Sequence, residues 1–375
     1  MKLNYTLLML IALLGFTTRL SAQDAAELPA ATLTEDPTAE AATAEDEEDN
    51  GLQISGFVDA YYQANFTTFG EADAPLVFPT SFTGQANEFA LGMANVTFAK
   101  EMGKVSAVAQ LGFGPRAEAA NGDVAAIQQL YVTYSPSESV TFSLGNFGTF
   151  VGYEVIDPVN VNYSTSYLFS NGPFFHTGVK ADIALTEGLG AMIGVFNDTD
   201  SKFDAVGGKH IGGQLSAEFG GLGAYLNVLT GVEEENFRGE ENLTGFQVDL
   251  TATYTVSEKL MFGLNASDKT SSVDGDVVTG FTGVAVYSTI GISEDFALGL
   301  RAESFTGKLA EEETGDAPSV LSLTLSGNFT VDDLTFIPEV RFDSGSNGAT
   351  FFTDSGDFTG EESVASFILA VVYSF

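Results

Sequence analysis

The sequence predicts an all-β fold, a transmembrane antiparallel up-and-down β-barrel of about 16 strands (14–18), and three observations predict it. From Gly51 onward, hydrophobicity alternates with period two over strand-length segments, which puts apolar and polar side chains on opposite faces. The connections alternate as well, a long polar stretch at one end of each hairpin and a tight turn at the other. Third, the strand charges Asp59, Glu88, Lys104, Lys180, Asp182, Glu218, Asp249, Arg301, Glu303, Glu339, Arg341 and Asp343 fall on the parity opposite the apolar set. A Lys or Arg facing lipid at mid-bilayer costs about 2–4 kcal/mol, so one-sided charge is what a hydrocarbon-facing wall demands. A soluble β-sandwich also alternates, but sixteen regular strands with one short and one long rim are not its pattern.

The chain in order supports this reading. Residues 1–22 carry Lys2, an apolar run from Leu7 to Phe16 and small residues at Ser21 and Ala22, the pattern of a secretory signal peptide cleaved after Ala22. No later stretch supplies the roughly 18–20 apolar residues of a membrane helix, so an exported chain held in a membrane must be a closed barrel. Residues 23–50 are rich in Ala, Thr and acids, with no base, and cannot bury enough apolar surface to order; they are expected to form a disordered periplasmic leader. The tight cluster Glu45 to Asp49 leaves a calcium-buffering or partner-binding tail as the alternative.

The barrel is expected over residues 51–375. Its first strand, Leu52 to Phe66, is followed by Glu88 to Lys100, Lys104 to Gly114, Ala126 to Tyr134 and Val140 to Phe150. Short turns are expected near 186–188, 220–221, 257–258, 293–295 and 331–333. Long polar connections are expected near 151–175, 198–208, 232–243, 268–279, 307–318 and 344–363. Two places fit poorly: Phe281 to Ile290 is apolar on both parities, and Pro338, lacking a donor, predicts a local bulge. The closing strand, Ser363 to Phe375, alternates Ala365, Phe367, Leu369, Val371, Tyr373 and Phe375 against a second face of Val364, Ser366, Ile368, Ala370, Val372 and Ser374. An even strand count places both termini on one rim, expected to be periplasmic.

Composition excludes several functions. The formal charge of −37 argues against a nucleic-acid partner, and the absence of Cys removes disulfides, thiolate metal sites, a Cys nucleophile and a lipobox. Nothing in the sequence asks for a cofactor or metal. Hydrolases need a His beside a nucleophile or acid, and His176 and His210 stand in no such arrangement.

Sixteen strands leave an aqueous channel rather than a filled core. The backbone cylinder would be about 30 Å across, too wide for strong selectivity with a Debye length of about 8 Å unless something narrows it. The stretch 151–175 is the candidate, being far too apolar for a solvated loop. Folded inward, it would leave Glu154, Asp157, Asn160 and Asn162 facing the permeant path. Inner Asp59, Asp182, Glu218, Asp249, Glu303 and Glu339 would bias the lumen toward cations, with Lys180, Arg301 and Arg341 as an opposing basic strip.

The segments GFVDAYYQANF (56–66), NEFALGMANVTFAK (87–100), VGYE (151–154), NYSTSYLFSNGPFFHTGVK (162–180) and PEVRFD (338–343) resemble the OmpL-like β-barrel porin family. The resemblance implies a general outer-membrane porin of a Gram-negative bacterium, passing small hydrophilic solutes or ions by diffusion. Where relatives tend to carry a base after the Tyr-Ser of the third loop, this chain has Thr165, which puts strong anion preference in doubt. The terminal Phe375 matches the signal that the barrel-assembly machinery reads in such proteins, and a homotrimer is a possible assembly. A plugged surface receptor or adhesin barrel, and a membrane hydrolase, are the alternatives.

Overall fold

The computed structural model describes residues 51–66, 80–84, 87–158, 161–204, 207–239, 241–348 and 362–375. The signal peptide and acidic leader lie outside the described residues. Sixteen strands follow in chain order: β1 (Gln53–Asn65), β2 (Glu88–Met102), β3 (Val105–Phe113), β4 (Ile127–Ser137), β5 (Val140–Gly148), β6 (Phe175–Thr186), β7 (Leu189–Phe196) and β8 (His210–Phe219). The second half comprises β9 (Leu222–Glu234), β10 (Leu243–Ser257), β11 (Leu260–Val273), β12 (Asp276–Ser293), β13 (Phe296–Gly307), β14 (Ser319–Val331), β15 (Leu334–Ser346) and β16 (Ser363–Ser374). Each strand pairs antiparallel with its sequence neighbours, and β16 closes on β1, so no edge is left. Two short helices, α1 (Pro115–Ala120) and α2 (Tyr167–Asn171), interrupt the loops. None of the described helices is long and apolar enough to cross a membrane.

Parity decides which way each side chain points. On β14, Leu321, Leu323 and Leu325 are exposed on the outer wall, whereas Ser322, Thr324 and Ser326 are buried within. On β16, Leu369 and Tyr373 face out while Val364, Ile368, Ala370 and Val372 are covered inside. Closure at that seam includes the chain end itself, since Gly56 and Phe375 exchange backbone hydrogen bonds of 2.9 Å each way. Both ends of the described barrel therefore lie on the rim of short turns.

Three expectations need correcting. The connection expected at 268–279 is a two-residue turn: β11 and β12 run on to Val273 and Asp276, joined by Asp274 and Gly275 at φ 55° and 96°. Positive φ at both central positions is the geometry that matches hairpin twist, and Asp-Gly is a favoured pair for it. Pro338 produces no bulge. The β14–β15 pairing lapses at Gly327 and Asn328 opposite Ile337 and Pro338 but resumes in the same register. The bulge in this part of the wall lies instead at β1–β2, between Val58 and Ala60. Charge parity is also not complete. Lys100 shares an outer groove with Leu52, Phe98 and Leu130, and Asp268 pairs with Lys308 at 2.7 Å on the outward parity; each lies toward the end of its strand.

Candidate functional site

The β5–β6 connection does not leave the barrel. It enters the lumen and is fixed there mainly by wall carboxylates that accept its backbone N–H groups. Asp249 on β10 accepts Gly152 N at 3.0 Å. Glu303 on β13 accepts Tyr167 N and Leu168 N at 2.9 and 2.8 Å, while Glu339 on β15 accepts Tyr163 N at 2.8 Å and Ser164 N at 3.2 Å. A segment without a regular ladder needs partners for its buried amides, and an ionised oxygen is the strongest acceptor available. Glu303 also sits where α2 begins, at the positive end of its amide dipoles, while Ser166 Oγ caps the same turn by accepting Phe169 N.

Arginines take the opposite role. Arg301 donates to Glu154 Oε1 at 2.7 Å and to the Ser164 carbonyl at 2.6 Å; Arg341 donates to Asp343 and to the Thr165 carbonyl at 2.8 Å. Arg116 of α1 donates to the Ile156 carbonyl at 3.1 Å and lies 3.6 Å from Asp59. Asp59 in turn accepts Tyr163 Oη and Met93 N, both at 2.6 Å. It sits over the β1–β2 bulge, where a Cβ on Gly92 would collide with its carboxylate.

Apolar packing completes the attachment. Tyr153 stacks on Tyr287 with centroids 4.3 Å apart, and Val161 and Leu168 join Phe281 and Ala285 in the same cluster. On another side Ile156, Tyr163 and Phe169 pack with Phe57, Ile337, Ile368 and Val372. At the segment's exit, Asp200 accepts Phe174 N at 2.6 Å and Phe175 N at 3.0 Å, and Lys202 lies over the Phe175 ring and donates to the Asn121 carbonyl. Burial pushes the Asp200 carboxyl up to about 6 and brings the Lys202 amine down to about 8.

The expected site residues therefore divide. Asp59, Asp249, Arg301, Glu303, Glu339 and Arg341 converge on the infolded segment and are almost fully covered by it. Glu154 and Asn162, expected on an open face, are turned to the wall instead: Glu154 to Arg301, and Asn162 to Ser326 Oγ at 2.6 Å and the Gly299 carbonyl at 3.2 Å. Asp157 accepts Gln128 Nε2 at 2.9 Å, its carboxyl raised by burial. Asn160 lies outside the described residues. Lys180 does not join Arg301 and Arg341 in a basic strip; it pairs with Asp182 at 3.3 Å on β6, and these two with Glu218 form a separate, more open group toward the short turns. Sequence reasoning missed Arg116, a lone base in a loop with no periodicity to flag it. It also missed the Asp200, Glu233 and Lys269 group at the mouth.

His176 donates to or accepts from Thr149 Oγ1 at 3.0 Å, but it is buried between Phe150 and Phe196, and its Nδ1 has no hydrogen-bond partner. A hydroxyl–imidazole pair without an orienting acid or solvent access is a packing contact.

Residues 51–375 match the family model described as "Putative beta-barrel porin-2, OmpL-like". The chain belongs to this family of porins. No curated protein matches it. Solved structures share its fold at low identity. The outer-membrane channel DcaP of Acinetobacter baumannii is 14% identical with TM-score 0.59, covering 86% of this chain and 97% of its own. The anion-selective porin from Comamonas acidovorans is 13% identical with TM-score 0.59, covering 87% and 99%. OmpT of Vibrio cholerae is 14% identical with TM-score 0.57, covering 88% and 99%. The porin is thus a Gram-negative outer-membrane protein with its exposed apolar wall in lipid.

Proposed function

We propose that this porin passes small hydrophilic solutes by passive diffusion, with weak cation preference, and that the infolded 151–175 segment is its constriction. The observation that carries the reading is the asymmetry of the lumen. Where the segment docks, on β10 and β12–β15 and on β1, wall side chains are sealed; toward the short turns of β6 and β8, Lys180, Asp182, Gln214, Ser216 and Glu218 keep contact with solvent. Water and solute have a polar route on that side. Asp182 and Glu218 against Lys180 leave it net acidic, which supports cation preference; the acid on Asp182 is partly neutralised by its pairing, so the preference is weak.

The periplasm is proposed as the compartment facing the short turns and both termini, as short turns there are the rule for such barrels. Phe375 at the seam is proposed as the contact for the assembly machinery, and a homotrimer as the assembly. The assay is conductance of the purified protein in planar bilayers with reversal potential in a salt gradient. Ohmic conductance with a small cation-directed reversal potential supports the proposal. Anion-directed reversal refutes the selectivity.

A second reading keeps one specific observation: the segment touches the wall at β1, β4, β10 and β12–β15, seven of the sixteen strands and on opposite sides of the barrel. A barrel impermeable to ions would make it a plug, and the protein a surface receptor.

A further inference from the structure

Between the end of the infolded segment and the wall of β8–β11 lies a cavity of about 240 Å³, lined among others by Asn171, Phe174, Asp200, Glu233, Gln247 and Lys269. It has room for about eight water molecules at ~30 Å³ each, the size of a small metabolite. We propose that this cavity binds small zwitterions of the α-amino acid class. The inference names a solute class for the route proposed above and rests on that reading for its transport role, though not for binding.

The charges in the cavity are mismatched in a particular way. Lys269 Nζ is 2.9 Å from Glu233 Oε1, with the two side chains 27% and 19% exposed, so the pair faces the cavity. Glu233 has a second donor, Ser271 Oγ, on Oε2 at 2.6 Å, and stays anchored if Lys269 turns away. Asp200 makes no ion pair among the described residues; its Oδ1 takes two backbone amides, and burial holds its carboxyl up at about 6. The other charged groups facing this region are Lys202, whose charge acts on Asp200 but whose Nζ is held by the Asn121 carbonyl, and Asp198 and His210, whose Nδ1 lies 4.0 Å from Asp198 Oδ1.

A solute placing its carboxylate on Lys269 and its ammonium on Asp200 gives that carboxylate a direct ion-pair contact and leaves the net charge of the cavity unchanged. A simple anion would meet Asp198, Asp200 and Glu233. An uncharged polyol would neutralise neither end.

The test is saturation-transfer NMR on the full chain in detergent, with L-serine and erythritol as probes, beside swelling of proteoliposomes in the same two solutes. Serine is expected to bind saturably and erythritol not. Lys269→Met and Asp200→Asn are each expected to weaken serine about tenfold, the effect of one charge-assisted contact, whereas Glu233→Gln, which frees Lys269, leaves binding as tight or tighter. Heat-modifiable gel mobility checks that each variant has folded. Equal signals from serine and erythritol, or wild-type binding in folded Lys269→Met and Asp200→Asn, overturn the site. Saturable serine binding to a protein whose liposomes stay tight upholds the site and defeats the diffusion reading. Swelling by both solutes without saturable binding does the reverse.

Discussion

Replacing Glu339 by alanine tests how the segment is held. Glu339 is 1% exposed and is the acceptor for two amides, Tyr163 N and Ser164 N. Its removal strands both donors inside the barrel, and each stranded group costs about 1–3 kcal/mol. Water entering the vacated space recovers part of this, so a net loss of about 3 kcal/mol is expected, which shifts the local attached-to-detached equilibrium about 150-fold. The barrel ladder is untouched, because β15 keeps its backbone pairing with β16 at Ile368. The segment should therefore loosen while the barrel stays closed. In planar bilayers, Glu339→Ala is expected to show larger mean conductance and added low-frequency current noise. Glu339→Gln, which retains one carbonyl oxygen, should lie between variant and wild type. A Glu339→Ala channel with wild-type conductance and noise would refute the argument that carboxylate-to-amide bonds hold the infolded segment in the proposed permeation path.

Other perturbations give independent checks. Breaking the buried Arg301–Glu154 pair from one side, by Arg301→Met, should cost about 3–5 kcal/mol in urea unfolding from lipid vesicles, and the double change with Glu154→Met should restore much of it. Leu323→Arg, on the lipid face in the middle of β14, should cost about 2–4 kcal/mol in the same assay, whereas Ser322→Arg on the inner parity tests crowding rather than lipid. Gly275→Val should destabilise the β11–β12 hairpin by roughly 1 kcal/mol or more, because a β-branched residue resists φ 96°. The Asp200 carboxyl, raised by burial to about 6 from 3.8, contributes stability that is fully present below pH 3.8 and is lost as pH rises through about 6. Amide exchange at Phe174 and Phe175, corrected for intrinsic rate, should accordingly show more protection at pH 4 than at pH 7, and Asp200→Asn should flatten the difference.

Much of the barrel was legible because parity is a local property. Whether Ser322 or Leu323 faces in can be read from two residues on either side, and fourteen of the fifteen connections follow from where such runs stop. The remaining one, between β11 and β12, does not, because the polar run Asp268 to Ser272 has loop composition yet is strand projecting beyond the apolar zone. The turn signal Asp274-Gly275 was in the sequence and outweighs polarity there. The site was legible only by half. That Asp249, Glu303 and Glu339 point inward follows from alternation; what they meet does not, since their partners lie 97, 136 and 176 residues away in the chain. Sequence reasoning treated an inward acid as a charge facing water. Buried amides of an infolded segment compete for the same acid and win, because they are already inside and would otherwise have no acceptor.

The residues that spoiled the alternation carry the most information about the interior. Phe281, Ala285 and Tyr287 on β12 point into the barrel and are 4% exposed or less, as do Phe57, Ile337 and Ile368 on the β1, β15 and β16 wall. An inward apolar side chain in a water-filled barrel would be an uncompensated cost, so its presence requires something apolar to cover it. Tyr153, Leu168, Ile156 and Phe169 of the infolded segment supply that cover. The inner apolar positions thus trace the footprint of the segment on the wall. They are dense on β12 and on β15–β1, but on the short-turn halves of β6 and β8 the inner positions are Lys180, Asp182, Gln214, Ser216 and Glu218, with Met192 of β7 buried between them. Water is excluded where the footprint lies, and the polar inner face of β6 and β8 outside it supports the solute route proposed along that side.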